Sequence, residues 1–504
     1  MSTDGSGEGR ATEGRAGERR WRRYRRATVA TLAALALAAG GLGAAAVLRG
    51  PRLDSAALNL TAAITRDGTR LVLHADQPLA AVDASQVTIT PATDFTLEPG
   101  GGGDDGAGGG DAAAGGGGSG TDITLAFTGM LDYATSYVVR VKGVDGVATG
   151  LSGTLEYRFD TPDVSVHTLL RRGGSEGDAT SRAPDQVLRS TLAAGPAAAS
   201  EVVFEAPRIQ QYAVTDPAIA AIVVDDEDGT SLAVSVDGRD PFTVHTPAGG
   251  RLQNLHSSPS ARLFGFTVNG GADASGRVYQ NALFVYDPLA TSGRAEEVTG
   301  FEGQPLRVVA WSFVPGSSSL VAQGVDQQLY LIDPLDGAEP VALGRHVELR
   351  GFLPGGLQLV VADGEGTSTI DLASGAVEPL PQTAPDVDPA FYPKKIVTGE
   401  NGVTIRQYDE VDYSAETPIS RSVILQAGPE GTRELYSPST PGARVRDFCV
   451  SPNGQYLAVE TIPSDGVNDG YALPGYSGMT TYFVDIATGT SNRGVPGFLP
   501  DWCG

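Results

Sequence analysis

Cysteine is nearly absent: Cys449 and Cys503 are the only two in 504 residues, so the chain can form one disulfide at most. Lysine is scarcer than its charge partner by an order of magnitude, with 3 Lys against 33 Arg. Beside abundant Ala and Gly, that bias points to GC-rich coding and carries no mechanism. The five histidines, His74, His167, His245, His256 and His346, nowhere pair at metal-ligand spacing. No G-x-S-x-G elbow, H-E-x-x-H helix or P-loop is present. The acidic run Asp225-Asp226-Glu227-Asp228-Gly229 lacks the alternation of a calcium loop and reads as a solvated hairpin tip. These gaps predict no cofactor, no metal and no catalytic constellation.

Charge is lopsided. The chain carries −24 overall. Residues 1–48 hold eight Arg against four acids, which leaves −28 for the rest. A domain so acidic repels nucleic acid and anionic polymers.

What is present is a recurring unit. A proline-led turn precedes a β-branched run at Pro217 (AIAAIVV), Pro259 (SARLFGF), Pro315 (GSSSLVA), Pro354 (GGLQLVV), Pro393 (KKIVT) and Pro452 (NGQYLAV). The spacing is 39 to 59 residues. Four units also hold an apolar strand ending in Asp287, Asp333, Asp371 or Asp485, each followed by a tight turn. These aspartates read as turn caps rather than metal ligands. Several short strands per unit, repeated at this period, predict a β-propeller over 164–504, with the inner strand following the proline turn. One blade cannot bury both faces alone, so neighbours must stack around an axis.

Segment 185–206 reads as the outer part of a blade without its own inner strand. The tail Pro500-Asp501-Trp502-Cys503 falls in register with Asp447-Phe448-Cys449 and with the strand at Trp311. The C-terminal strand is therefore expected to complete the first blade, giving seven blades, with six and eight as alternatives. This register sets Cys449 and Cys503 on neighbouring inner strands. In an oxidising compartment they read as a disulfide, worth about 4 kcal/mol in the chain-entropy model.

The N-terminus divides sharply. Residues 1–26 form an Arg-rich tail ending in RRWRRYRR, and residues 27–48 carry no charge. That length suffices to span a membrane as a single helix, with the N-terminus cytoplasmic and the remainder outside. The alternative is a signal peptide cleaved at the Ala44-Ala45-Ala46 site and a secreted product. No cysteine follows the apolar stretch, which speaks against lipid attachment there.

Residues 55–162 read as a β-sandwich of six or seven short strands, interrupted by a flexible Gly-rich insertion at 100–120. The stretch Leu131 to Tyr137, the strand VVRVKGV after it, and the closing Tyr157-Arg158-Phe159-Asp160-Thr161-Pro162 resemble the bacterial Ig-like domains of surface and envelope proteins. That resemblance implies a spacer or adhesion module without catalytic residues. The Ser451-Pro452-Asn453-Gly454 turn and the Asp-terminated strands resemble the TolB-like and WD-repeat group of propellers, although no Trp-Asp dipeptide occurs. It implies protein or ligand binding at the mouth of the central channel.

Three insertions, 269–281, 399–420 and 463–480, are expected to follow inner strands and emerge on one face. Loops on a rigid scaffold are common binding sites, and Tyr408, Tyr413, Tyr471 and Tyr476 are the candidate partner contacts. His256 stands at the inner-strand position equivalent to Ser312 and Cys449, and reads as a hydrogen-bonded core residue. The expected whole is an all-β, membrane-anchored envelope protein that binds a protein or polymer partner. The alternative is a propeller enzyme acting on envelope glycans or lactones.

Overall fold

The computed structural model describes residues 24–25, 27–37, 49–98, 120–147, 149–172, 183–192, 199–247, 249–258, 260–290, 292–353, 356–411 and 419–503; the side chains of 400, 419, 420, 492 and 503 are not described. The chain is almost entirely β, with nine antiparallel sheets among the described residues. Contacts divide it into two compact units. One holds residues up to Asn59, Thr69–Thr128 and Ser136–Phe159. The other holds Leu60–Gly68, Gly129–Thr135 and Asp160–Gly504. Among the described residues no helix is long and apolar enough to cross a membrane. Residues 38–48 of the expected span, like most of the glycine-rich insertion, lie outside the described residues.

The first unit has a four-stranded and a three-stranded sheet. Burial alternates along its strands, as at Arg70–Ala75 and Asp122–Phe127. Leu71, Leu73, Leu125, Val139 and Leu155 are almost wholly buried and form its core.

The second unit is the propeller. Seven sheets follow one another in chain order among the described residues. Blade I is Ser165–Leu170, Asp185–Thr191 and Glu201–Ala206. Blades II to VII begin on the inner strands Ile209–Val214, Gly250–Ser258, Val308–Phe313, Glu348–Phe352, Phe391–Thr398 and Arg444–Val450, and each adds three more strands. The proline turns at 217, 315 and 452 lie between first and second strands. The inner strand therefore precedes the proline, which corrects the expected order. Pro393 breaks the rule, because it sits inside the inner strand of blade VI.

The apolar clusters lie between blades, as stacking requires. Ile222 and Val234 of blade II pack on Phe264, Phe266 and Phe284 of blade III. Val321 and Leu329 of blade IV meet Leu359 and Val361 of blade V. The ring closes because Val166 and Leu192 of blade I share a cluster with Cys449, Ala458 and Phe483 of blade VII. Blade I has three strands, and its inner place is taken by a bridge between Leu169 and Phe498. Leu169 N donates to Phe498 O at 2.8 Å, and Phe498 N returns the bond at 3.0 Å. Residues Asp501–Cys503, expected as strand, form a 3-10 turn three residues beyond that bridge. Asp501 still ties the tail to blade I, accepting from His167 N at 2.9 Å. Cys449 is disulfide-bonded, and no free cysteine occurs among the described residues.

Candidate binding face

Antiparallel order puts the link between second and third strands on the same edge as the link into the next inner strand. Backbone bonds confirm the juxtaposition. Val308 N donates to Asn281 O at 3.0 Å, Val325 N to Arg307 O at 3.1 Å, and His346 N to Gln327 O at 3.0 Å. Insertions 269–281 and 463–480 are second-to-third links and so belong to this edge. Insertion 399–420 is mostly not a loop. It contains the second strand of blade VI, Thr404–Val411, and residues 412–418 lie outside the described residues.

That strand explains the fate of Tyr408. It pairs with Pro393 on one side and Val423 on the other, and it is only 4% exposed. Tyr413 lies outside the described residues. Tyr471 is 6% exposed rather than presented to a partner. Its hydroxyl donates to Asp185 of blade I, and the Arg171 guanidinium lies 3.9 Å from its ring centre. Tyr476 is half-buried, packed beside Phe498 and Met479, with Arg444 5.3 Å from its ring. The loop 463–480 is thus folded back onto the seam where the ring closes.

Arg171 is the hub of that seam. Its Nε donates to Ile209 O at 2.9 Å and its Nη2 to Gln210 O at 2.7 Å, both in blade II. Its Nη1 donates to Asp469 Oδ2 at 2.7 Å and to Leu473 O at 2.9 Å, both in the blade VII loop. Asp185, fully buried, accepts from Arg172 N at 2.9 Å and Ile209 N at 3.0 Å. A second buried pair, Arg446 and Glu460, sits nearby, and Glu460 Oε1 accepts from Leu499 N at 2.9 Å. Burial pushes the Glu460 carboxyl above its usual range, although Arg446 opposes the shift. These networks satisfy their own members and leave little for a ligand.

The open chemistry is on the inner strands. Each of the six, in blades II to VII, carries a β-bulge: at Ile209/Gln211, Gln253/His256, Val308/Ala310, Leu349/Gly351, Pro393/Lys395 and Val445/Asp447. A bulge re-aims side chains and is common next to binding sites. In blades V, VI and VII the extra residue is a cation: Arg350, Lys394 and Arg446. Arg350 is held by Glu348 at 2.9 Å. Lys394 reaches across to blade VII, donating to Arg446 O at 3.0 Å, and Lys395 donates to Asp447 Oδ1 at 2.6 Å. Tyr392, just before them, is 53% exposed. The sequence signal for this cluster was available: two of three lysines adjacent, on the strand register of Arg446-Asp447.

The remaining candidates resolve simply. Asp287, Asp333, Asp371 and Asp485 each accept a backbone N–H from their own turns, at 2.7 to 3.0 Å. Asp225 likewise accepts from Glu227 N and Gly229 N, closing the hairpin tip of blade II. His256 lies edge-on to Trp311, ring centres 5.0 Å apart, and burial pushes its pKa down to about 4. Among the described residues no group of three or more His, Cys, Asp or Glu could hold a metal ion.

The fold and this face define a β-propeller that displays polar and aromatic side chains at one end of its axis. No family model matches the chain, and no curated protein shows a significant match. Two solved structures are similar to it in outline. One is a prolyl endopeptidase studied for the role of inter-domain dynamics in catalysis and specificity. It is 14% identical, with a TM-score of 0.42 over 67% of this chain and 49% of that one. The other is the β-propeller domain of Cps50 (Swd1) from Myceliophteria thermophila, 11% identical, with a TM-score of 0.34 over 58% of this chain and 88% of that one. The chain spans about half the length of that prolyl endopeptidase. At such values the propeller assignment stands on the succession of sheets, and no activity transfers.

Proposed function

We propose that the chain is an extracytoplasmic binding scaffold of a bacterial cell envelope, held to the membrane through residues 27–48. Its propeller takes a protein or polymer partner on the face that carries the inner-strand bulges. The carrying observation is the half-exposed set Tyr392, Lys394 and Lys395, presented by a rigid ring at the axis. The Ig-like reading of 55–162 supplies a spacer, and two antiparallel sheets with alternating burial support it. The TolB-like and WD-repeat-like reading is supported by four-stranded blades and the turn at Ser451 to Gly454. Support for the anchor comes from the Arg cluster, the uncharged run, and the exposed apolar Leu32, Leu35 and Leu37. Export agrees with a Cys449–Cys503 bridge.

The test is photo-crosslinking in intact membranes, with the reactive residue at position 392 or at 335. Leu335 is exposed in a third-to-fourth-strand turn, at the opposite edge of its blade. An adduct from 392 and none from 335 is expected. Adducts from 335 alone overturn the assignment of the face.

A further inference from the structure

We propose that Lys394 and Lys395 form a carboxylate-binding site at the propeller axis. The proposal rests on the binding reading above and names the chemistry that this face accepts. The chain uses arginine 33 times and lysine three times, yet two of those lysines are adjacent on one inner strand. At the equivalent bulges of blades V and VII the cation is arginine. A bond to a neighbouring carbonyl or carboxylate alone would be served by arginine just as well. The ammonium differs in being a compact point charge with three rotatable donors, where guanidinium is a broad planar fork.

The geometry leaves those donors partly unused. Lys394 Nζ makes one hydrogen bond, to Arg446 O at 3.0 Å. Its nearest carboxylate oxygen, Asp409 Oδ2, is 3.8 Å away, beyond hydrogen-bond reach. Lys395 Nζ is held by Asp447 Oδ1 at 2.6 Å, an oxygen that also accepts from Phe448 N at 2.7 Å. The two lysine side chains are 45% and 37% exposed. Both reach across from the blade VI strand to consecutive residues of the blade VII strand, Lys394 to Arg446 and Lys395 to Asp447. A half-buried wall strengthens a charge contact relative to open water.

The surrounding charge selects the anion. Everything beyond residue 48 carries a formal −28, from −24 overall less +4 for residues 1–48. Long-range repulsion scales with ligand charge, so a monoanionic carboxylate is admitted more readily than a dianionic phosphate.

Three lysines make the test simple. Biosynthetic ¹³Cε-lysine labelling of the full chain in detergent micelles leaves every ammonium group intact and gives one signal per lysine. Acetate is titrated against chloride at equal ionic strength, with inorganic phosphate as a third arm. Two signals should move saturably with acetate, while that of Lys142 stays still. Lys394→Arg and Lys395→Arg assign them, and each should weaken the partner lysine's response several-fold with the circular dichroism unchanged. Chloride moving the signals as far as acetate, phosphate acting where acetate does not, or no movement at all overturns the proposal. A partner adduct at position 392 with silent lysines sinks this inference alone. Responsive lysines with no adduct there sink the partner-binding reading instead.

Discussion

The guanidinium of Arg171 in blade I meets the carboxylate of Asp469 in the blade VII loop at 2.7 Å, with the two side chains 3% and 6% exposed. A buried pair adds little net stability, because desolvation offsets attraction, but losing one partner strands the other. Asp469→Asn should therefore destabilise the protein by roughly 3–5 kcal/mol. Arg171→Met should cost more, since it also strips donors from Ile209 O, Gln210 O and Leu473 O. The double variant Arg171→Met with Asp469→Leu should recover part of the loss in denaturant titration. Single variants costing under about 1 kcal/mol would place the ring closure elsewhere.

Tyr471 and Tyr392 should behave oppositely. Tyr471→Phe removes one donor from the buried Asp185 carboxylate and should cost about 1–3 kcal/mol. Tyr471→Ser should cost more, because the ring beneath Arg171 goes too. Tyr392→Ser, at 53% exposure, should change stability by less than about 0.5 kcal/mol. Thermal melts of the three variants decide this, and a harmless Tyr471→Ser would return that residue to the surface.

The sequence made the propeller legible because its signals are local: proline turns, apolar runs and Asp-capped hairpins recur along the chain, the capped hairpins in four of the blades. The return of the chain to blade I was also visible, through the tail's likeness to Asp447-Phe448-Cys449. The misplacement by a few residues arose because the 3-10 turn at Asp501 has the same residue types as a strand start. Two of the candidate tyrosines failed for a different reason. Tyr408 lies in a stretch whose Gln, Arg, Asp and Glu mimic a loop, although Gln407 and Asp409 are buried and hydrogen-bonded. Tyr471 lies in a real loop that folds inward, and only the distant partners Arg171 and Asp185 require it to. Long-range pairing of this kind leaves no periodic trace.

Cys449 and Cys503 should appear as one linked peptide in a non-reduced digest of the purified protein. Replacing both by Ser should lower stability by about 4 kcal/mol or less, as the chain-entropy model gives for such a loop. The Leu169–Phe498 bridge and the Arg171 hub remain in that variant, so the ring should stay closed at room temperature. Detecting two free thiols would remove the bridge from this account.

His256 should make the protein acid-sensitive in a defined window. Burial holds its folded-state pKa at about 4, against an ordinary value of 6.5. Between those values the unfolded chain takes up a proton that the folded chain refuses, so stability falls as pH drops from 6.5 to 4 and is constant above 6.5. The full effect has an upper bound of about 3 kcal/mol at 1.36 kcal/mol per unit. Glu460 acts with the opposite sign: burial raises its folded pKa, so falling pH relieves a buried charge there. The lowered carboxyls of Asp122, Asp363 and Asp371 lose their stabilisation only below this window, under the ordinary 3.8. The clean measurement is therefore a difference: denaturation midpoints of the wild-type chain and of His256→Gln at several pH values from 7 to 4. The variant's curve should be flatter across that span. Parallel curves would mean that the imidazole beside Trp311 is protonated within the folded protein.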